Sequence, residues 1–437
     1  MIPQRLHLLP PRWARKFAKL RHWLILAVPI GVAAGLGVSA LETLCNTVLW
    51  ERIAALGIHW RLVAPVFGLL LSGWVLARLH LRTVGMLNDV VVQYHHPPYA
   101  MSPKVDLMEA GACVATVGLG ASLGLGGPSQ WLGARLALYT RRLVRRWQPT
   151  LGISTRQILL IGAAAGVAAY FRAPLAGTIL AMETPFRRDM DGTVLLPASI
   201  ASLLAHYIHG RLVDPRPLLL FSNVSFQGWK GLLSVVVIGV LAGILSRRLQ
   251  RGVLQIREWT GRISWTQRAM VGGLITSLSA LLAWRFFGDT WTLQGGLPVA
   301  LAVFKGQFQG WPALALLTLK ILAVWAALGT TGVAGVLVVT LSIGTLLGGV
   351  LHPVLPGLSL ELACSVAVCA YLAANYNAPL TALALSVEWG GSILLMGAWP
   401  AVILAAWIGA GMANTPAKTR HRHIQPNHFK ETSHADH

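Results

Sequence analysis

Two short glycine-dense stretches carry the residues whose chemistry is easiest to name. In residues 117–133, VGLGASLGLGGPSQWLG, the glycines Gly124, Gly126 and Gly127 leave the backbone uncovered and Pro128 opens a helix. Proline suits the first helical turn, where its missing N–H would have had no partner, and the amides beside it point outward. Aligned peptide dipoles give such a helix end about half a positive charge. Gly126, Gly127, Pro128 and Ser129 therefore form a candidate seat for an anion that needs no full cation. The alternative is that these glycines only let membrane helices pack closely. A second stretch, Gly332-Val333-Ala334-Gly335, stands ahead of Val336, Leu337 and Val338.

Two carboxylates stand at matched places. Tyr170-Phe171-Arg172-Ala173-Pro174-Leu175 leads to Glu183, and Asn375-Tyr376-Asn377-Ala378-Pro379-Leu380 leads to Glu388; 378 minus 173 and 388 minus 183 are both 205. Motif, acid and glycine turn thus recur in one order, the mark of a transporter built from two halves with its site between them. Glu183 and Glu388 are candidates for an acid relay of protons. Alternatively they cap helices or pair with Arg187 and Arg188. Lys320, alone in an apolar run, lies near the ion path or snorkels to the interface. His95-His96-Pro97-Pro98 is read as a polar loop rather than a metal site.

The elements that must position these residues are apolar. Of 437 residues, 55% are hydrophobic and 12% charged, which excludes an ordinary soluble domain, where about a quarter are charged. The pattern is that of an all-α polytopic membrane protein. Apolar spans are expected at 23–44, 62–81, 109–123, from Pro128 to near Tyr139, and at 158–171, 173–182 and 194–208. After a polar connection through Asp214, Arg216 and Asn223 they resume at 229–245, 270–284, 298–304, 311–328, 335–351, 358–374, 378–387 and 393–410. Several are shorter than the roughly 20 residues a crossing needs, which implies broken helices. Residues 1–22 read as a basic cytosolic leader and 23–413 as the transmembrane domain, in two inverted halves at about 23–212 and 226–413. Residues 414–437 read as a polar, His-rich tail.

Lys and Arg total 36 against 15 acids, but they cluster between apolar runs and so act as topology signals, not as a nucleic-acid surface. The clusters at Arg141, Arg142, Arg145 and Arg146, at Arg187 and Arg188, and at Arg247, Arg248 and Arg251 are expected in cytosolic loops. Both termini are expected inside. Cys45, Cys113, Cys364 and Cys369 form no CxxC pattern and read as small buried residues. No cofactor or metal is implied, and no nucleophile–base pair in the spans suggests an enzyme.

These residues resemble the CLC family of chloride channels and chloride/proton exchangers. Residues 162–177, GAAAGVAAYFRAPLAG, match that family's GAAAGxAAAFxAPLAG segment almost letter for letter. Gly124-Leu125-Gly126-Gly127-Pro128 stands where the family has GREGP. Ala334-Gly335-Val336-Leu337-Val338-Val339 stands where it has GGIFAP, and Gly344-Thr345-Leu346-Leu347-Gly348 fits the segment that follows. The resemblance runs from about Trp23 to Gly411. It implies an inverted-repeat transporter fold, a homodimer in the inner (plasma) membrane with one pore per subunit, and chloride or a similar anion as the ligand.

The departures matter as much. The family's gating glutamate falls on Gly126 and its arginine on Leu125; its inner proton glutamate falls on Thr184. The GSGIP turn, whose serine touches the central ion, corresponds to Val84-Gly85-Met86-Leu87-Asn88, and the pore tyrosine has no counterpart after Pro400. The anion-binding set is then mainly backbone, namely Gly85, Met86, Gly126, Gly127, Pro128, Ser129, Val336, Leu337 and Val338. Passive anion transport uncoupled from protons is the expected function. An exchanger using other acids, or a non-transporting membrane partner, is the alternative.

Overall fold

The computed structural model describes residues 11–81, 86–95, 102–147, 153–183, 192–216, 218–219 and 228–413. Gly85, Thr184, Arg187, Arg188, residues 96–98 and the 414–437 tail lie outside the described residues. Those described are helical apart from connections. In chain order the helices are α1 (Pro11–Glu42), α2 (Glu51–Ala55), α3 (Ile58–Arg78), α4 (Met86–His95), α5 (Pro103–Gly118), α6 (Gly126–Trp147), α7 (Thr155–Phe171) and α8 (Pro174–Glu183). They continue with α9 (Leu195–Leu212), α10 (Gly228–Thr260), α11 (Trp265–Phe287), α12 (Leu297–Phe304), α13 (Trp311–Gly329), α14 (Leu337–Leu351), α15 (Leu360–Tyr376) and α16 (Pro379–Ala413). A π-helical stretch over Thr43–Trp50 joins α1 to α2. Among the described residues, 7 helices are long and apolar enough to cross a membrane. α7, α14 and α15 are shorter apolar helices.

Some expected boundaries are corrected. α1 begins at Pro11, so the second half of the basic leader belongs to the first helix. α6 and α10 run on through Arg141–Arg146 and Arg247–Arg251, which are helical and not loops. Arginine is a good helix former, so leaving the apolar slab does not end a helix. α4, ten residues long, falls partly in the segment read as a turn. The two spans expected at 378–387 and 393–410 are the two segments of α16, which breaks at Gly391, where φ is 70°.

The repeat in the sequence becomes a repeat of caps. Ser154 accepts the Gln157 N–H at the start of α7, and Ser359 accepts the Leu362 N–H at the start of α15, both at 3.3 Å. Each helix ends on a left-handed residue, Arg172 (φ 55°) and Asn377 (φ 52°), which turns the chain into Pro174 and Pro379. Asparagine tolerates that conformation, whereas arginine spends about 1 kcal/mol on it. The Arg172 guanidinium is pinned between Glu42 (3.5 Å) and Asp214 (3.7 Å) and donates to the Arg216 carbonyl (2.8 Å).

The halves then cap one another. Glu183, at the end of α8, accepts the N–H groups of Leu380 and Thr381 at 2.9 Å each and the Thr381 hydroxyl at 2.8 Å. Glu388, on the first segment of α16, accepts the N–H groups of Leu175 and Ala176 at 2.7 and 2.8 Å. Each carboxylate thus closes the N-terminus of the other half's short helix, where amides lack intrahelical partners and the dipole favours negative charge.

Close backbone approach sets the crossing of α6 and α7. A Cβ on Gly133 would lie 2.2 Å from the Gly162 carbonyl oxygen, and one on Gly166 would lie 2.0 Å from that of Ser129. The second half repeats the contact with Gly344 and Gly348 of α14 against Val368 and Cys364 of α15. Without a hydrophobic drive between helices in lipid, such small-residue seams supply the packing. The four cysteines are buried and unpaired, as expected. α15, one of the expected apolar spans, offers no free apolar face, because it is enclosed by α10, α14 and α16. Apolar side chains instead stand out on α9 (Leu196, Leu203, Tyr207) and on the second segment of α16 (Met396, Ile403, Trp407).

The reciprocal caps predict matched losses of stability. Glu183→Gln weakens three charge-assisted bonds and Glu388→Gln two, and each should cost about 1–3 kcal/mol. Thermal unfolding in detergent should fall by several degrees for both. A variant that melts with the parent would show that its carboxylate does not hold the opposite helix.

Candidate anion site

At the centre the two glycine stretches meet. Gly124 donates its N–H to the Gly335 carbonyl at 2.8 Å, and Gly335 returns one to Gly124 at 3.0 Å, an isolated antiparallel bridge between the halves. The approach leaves no room for a side chain. A Cβ on Gly335 would lie 2.6 Å from the Gly127 nitrogen and 2.8 Å from its Cα. Thr116 adds a third tie, accepting the Val333 N–H at 3.1 Å on its hydroxyl.

The bridge brings two helix N-termini together. In α6 the first helical bonds include Ser129 N–H to Leu125 O at 2.7 Å, and in α14 Thr340 N–H to Val336 O at 2.9 Å. The amides of Gly126 and Gly127, and those of Leu337, Val338 and Val339, precede these bonds. Two sets of donors with their dipoles therefore converge beside one backbone bridge, an arrangement suited to an anion. Gly335 and Val336 stay part-exposed, while their neighbours in both turns are buried. Ser129 differs from expectation: its N–H and its hydroxyl both bond the Leu125 carbonyl, so no donor remains for an ion. Pro128 contributes no donor.

The side chains around this junction are apolar. A Cβ on Gly126 would lie 2.8 Å from the Leu337 Cβ and 2.9 Å from Phe171 Cε2. The direction in which a side chain at 126 would project is thus filled. Phe171 stacks on Trp389 with ring centroids 6.4 Å apart, so the second half backs the filling. Beyond it lies a small cavity lined by Phe171, Leu337, Val167, Leu180, Leu372 and Leu385. Met86 is buried in the core at the first residue of α4.

Glu183 and Glu388 are each engaged with backbone N–H groups of the opposite half. Pairing with Arg187 or Arg188 falls outside the described residues. Lys320 does not snorkel. It is 1% exposed and its ammonium points inward, to the carbonyls of Thr292 (2.9 Å) and Gln294 (2.6 Å). Its carbon chain is too short to reach water from mid-helix once the 292–296 turn closes over it. Two buried polar clusters were not legible in the sequence. Asp106 pairs with Arg135 (3.3 Å) and accepts the Tyr139 hydroxyl (2.6 Å). Glu42 meets Arg172 and, at 3.2 Å, His209. Their members come from separate helices, and the one local signal is Arg172 inside an otherwise apolar motif.

Comparison with known proteins agrees with this geometry. The family described as voltage gated chloride channel matches residues 67–410. The ClcB voltage-gated ClC-type chloride channel of Salmonella dublin is 27% identical, over 93% of this chain and 99% of its own. The ClcA H(+)/Cl(-) exchange transporter of Klebsiella pneumoniae is 25% identical, over 84% of this chain and 80% of its own. Among solved structures, a CLC-type fluoride/proton antiporter superposes with a TM-score of 0.77 at 21% identity, covering 90% of this chain and 96% of that one. A slow cyanobacterial Cl-/H+ antiporter gives 0.77 at 18% identity, covering 91% and 96%. With its broken helices, inverted repeat and paired turns, the chain belongs to the voltage-gated chloride channel (CLC) family, as a multi-pass membrane protein with the fold of its transporters.

Proposed function

We propose that this CLC protein carries chloride or a similar monovalent anion passively, without coupling to protons. The amides of Gly126, Gly127, Leu337 and Val338 hold the ion, and Val336 and Met86 line its approach. The observation that carries the reading is at Gly126. A proton-coupled cycle needs a titratable group that alternates between ion and proton paths. Glycine cannot titrate, and the space beside it is filled by Leu337 and Phe171. Thr184 likewise offers no acid. Glu183 and Glu388 could carry protons only by releasing the helix ends they cap. The same apolar filling favours a second reading, a family member that no longer transports.

Both termini are proposed to be cytosolic, and the working unit a homodimer closed by the apolar faces of α9 and the second segment of α16, a self-complementary interface of the two-fold kind. Mass measurement in mild detergent should give twice the chain mass; a monomer at every detergent concentration would remove the dimer.

Anion efflux from proteoliposomes with simultaneous pH recording tests the function. Efflux without proton movement is expected. Proton flux tied to anion flux would make the protein an exchanger, and absence of any efflux would favour the non-transporting reading. Gly126→Glu, made with Leu337→Ala to open space, adds a carboxylate that competes with the anion for the same amides. Flux should fall at about pH 7.5 and recover toward about pH 4.5, because protonation near the ordinary glutamate pKa of about 4.3 neutralises the competitor. Asp214 adds nothing to that response. Hydrogen bonds from Arg216 hold its carboxyl down to about 2, so it stays ionised across the window. Flux equal to that of Leu337→Ala alone at every pH would place position 126 off the path.

A further inference from the structure

We propose that the Lys320 ammonium is the positive charge that sets anion affinity at the paired glycine turns. The inference rests on reading those turns as the anion seat. Lys320 sits midway along α13, 1% exposed. Its Nζ donates to the carbonyls of Thr292 at 2.9 Å and Gln294 at 2.6 Å, with the Leu293 carbonyl at 3.5 Å. All three acceptors are neutral, and no described carboxylate forms an ion pair with it. An ammonium taken out of water is costly unless an opposite charge or a full set of hydrogen bonds offsets it. Carbonyls satisfy its protons here, but its net charge still lacks a counter-ion in the protein.

The turn that Lys320 grips is a wall of the junction. Ser122 donates its hydroxyl to the Thr292 carbonyl at 2.7 Å, and the Gln294 N–H bonds the Gly120 carbonyl at 3.3 Å. Next in the chain, a Cβ on Gly295 would lie 2.8 Å from Val338 Cγ1 and 3.8 Å from the Gly124 Cα. Ser342 of α14 closes the turn by donating to the Gly295 carbonyl at 3.0 Å. Standard bond lengths then put the ammonium within about 11 Å of Gly124. An anion on the adjoining amides lies a few ångströms further, within about 16 Å, where at an effective dielectric constant of about 20 one unit charge changes the binding of another by roughly five- to ten-fold. The permeating anion supplies the counter-charge. The lysine acts from behind the turn, not as a ligand, so its field does not distinguish one monovalent anion from another.

That last property gives the test. Chloride and bromide are titrated calorimetrically into the purified full-length protein and into Lys320→Met, Lys320→Gln and Lys320→Arg. Met and Gln should each weaken both anions by about five- to ten-fold and by the same factor, although Gln keeps a donor for the carbonyls. Arg, which keeps the charge, should bind within about two-fold of the parent. A folded Met or Gln variant that binds like the parent overturns the proposal. So does a change in the chloride-to-bromide ratio, which would mean that the lysine shapes the amides instead of charging the site. If Met melts too low to measure, Gln and Arg decide between them. A parent that binds neither anion contradicts the reading of the glycine turns, a result distinct from failure of the lysine.

Discussion

An apolar slab tolerates no unsatisfied backbone, and this constraint governs the rest of the structure. A helix broken inside such a slab exposes N–H groups at one end and carbonyls at the other, each costly to bury alone. Here the opposite half of the chain satisfies them. Glu183 closes the start of α16, Glu388 closes the start of α8, Thr116 takes the Val333 amide, and Gly124 and Gly335 take each other's. The inverted repeat is what makes this exchange reciprocal. An end broken in one half meets its counterpart from the other half across the pseudo-two-fold, so one kind of side chain at one position serves both.

The amides at the starts of α6 and α14 are the exception to this closure. They sit beside the Gly124–Gly335 bridge, where close approach bars any side chain from capping them, and the flanking Leu337, Phe171 and Trp389 bring no acceptor of their own. A place where donors are concentrated and acceptors excluded is a place for an anion. The bridge also ties the site to the fold. The bonds that join the halves fix the spacing of the two helix ends, so a change that loosens the fold loosens the site.

Much of this was legible in the sequence. The equal offsets of the Ala-Pro-Leu motifs and of Glu183 and Glu388, with the two glycine turns, indicated two halves and broken helices, and pointed to the backbone amides proposed here as the anion seat. The choice between relay and cap for the two glutamates was posed correctly, yet their partners were not visible. A cap that comes from the other half, 197 residues away for Leu380, leaves no local pattern. Ser129 was counted among the backbone donors of the helix start; here its N–H and its hydroxyl both turn back on the Leu125 carbonyl. Lys320 was weighed toward the interface because lone lysines in apolar helices usually reach water, and only the 292–296 turn, brought over it by the fold, holds it inside. The arginine clusters marked the ends of the apolar slab, but helix propensity carried α6 and α10 beyond those ends.

The account's central claim is that an anion rests on amides contributed by both halves beside the Gly124–Gly335 bridge. The most direct measurement is anomalous diffraction from crystals grown in bromide. The account predicts a bromide peak within hydrogen-bonding range of the Gly126 and Gly127 amides on one side and the Leu337 and Val338 amides on the other, lost in Gly335→Ala crystals. A fully occupied bromide elsewhere in the subunit, with none at the bridge, would contradict it.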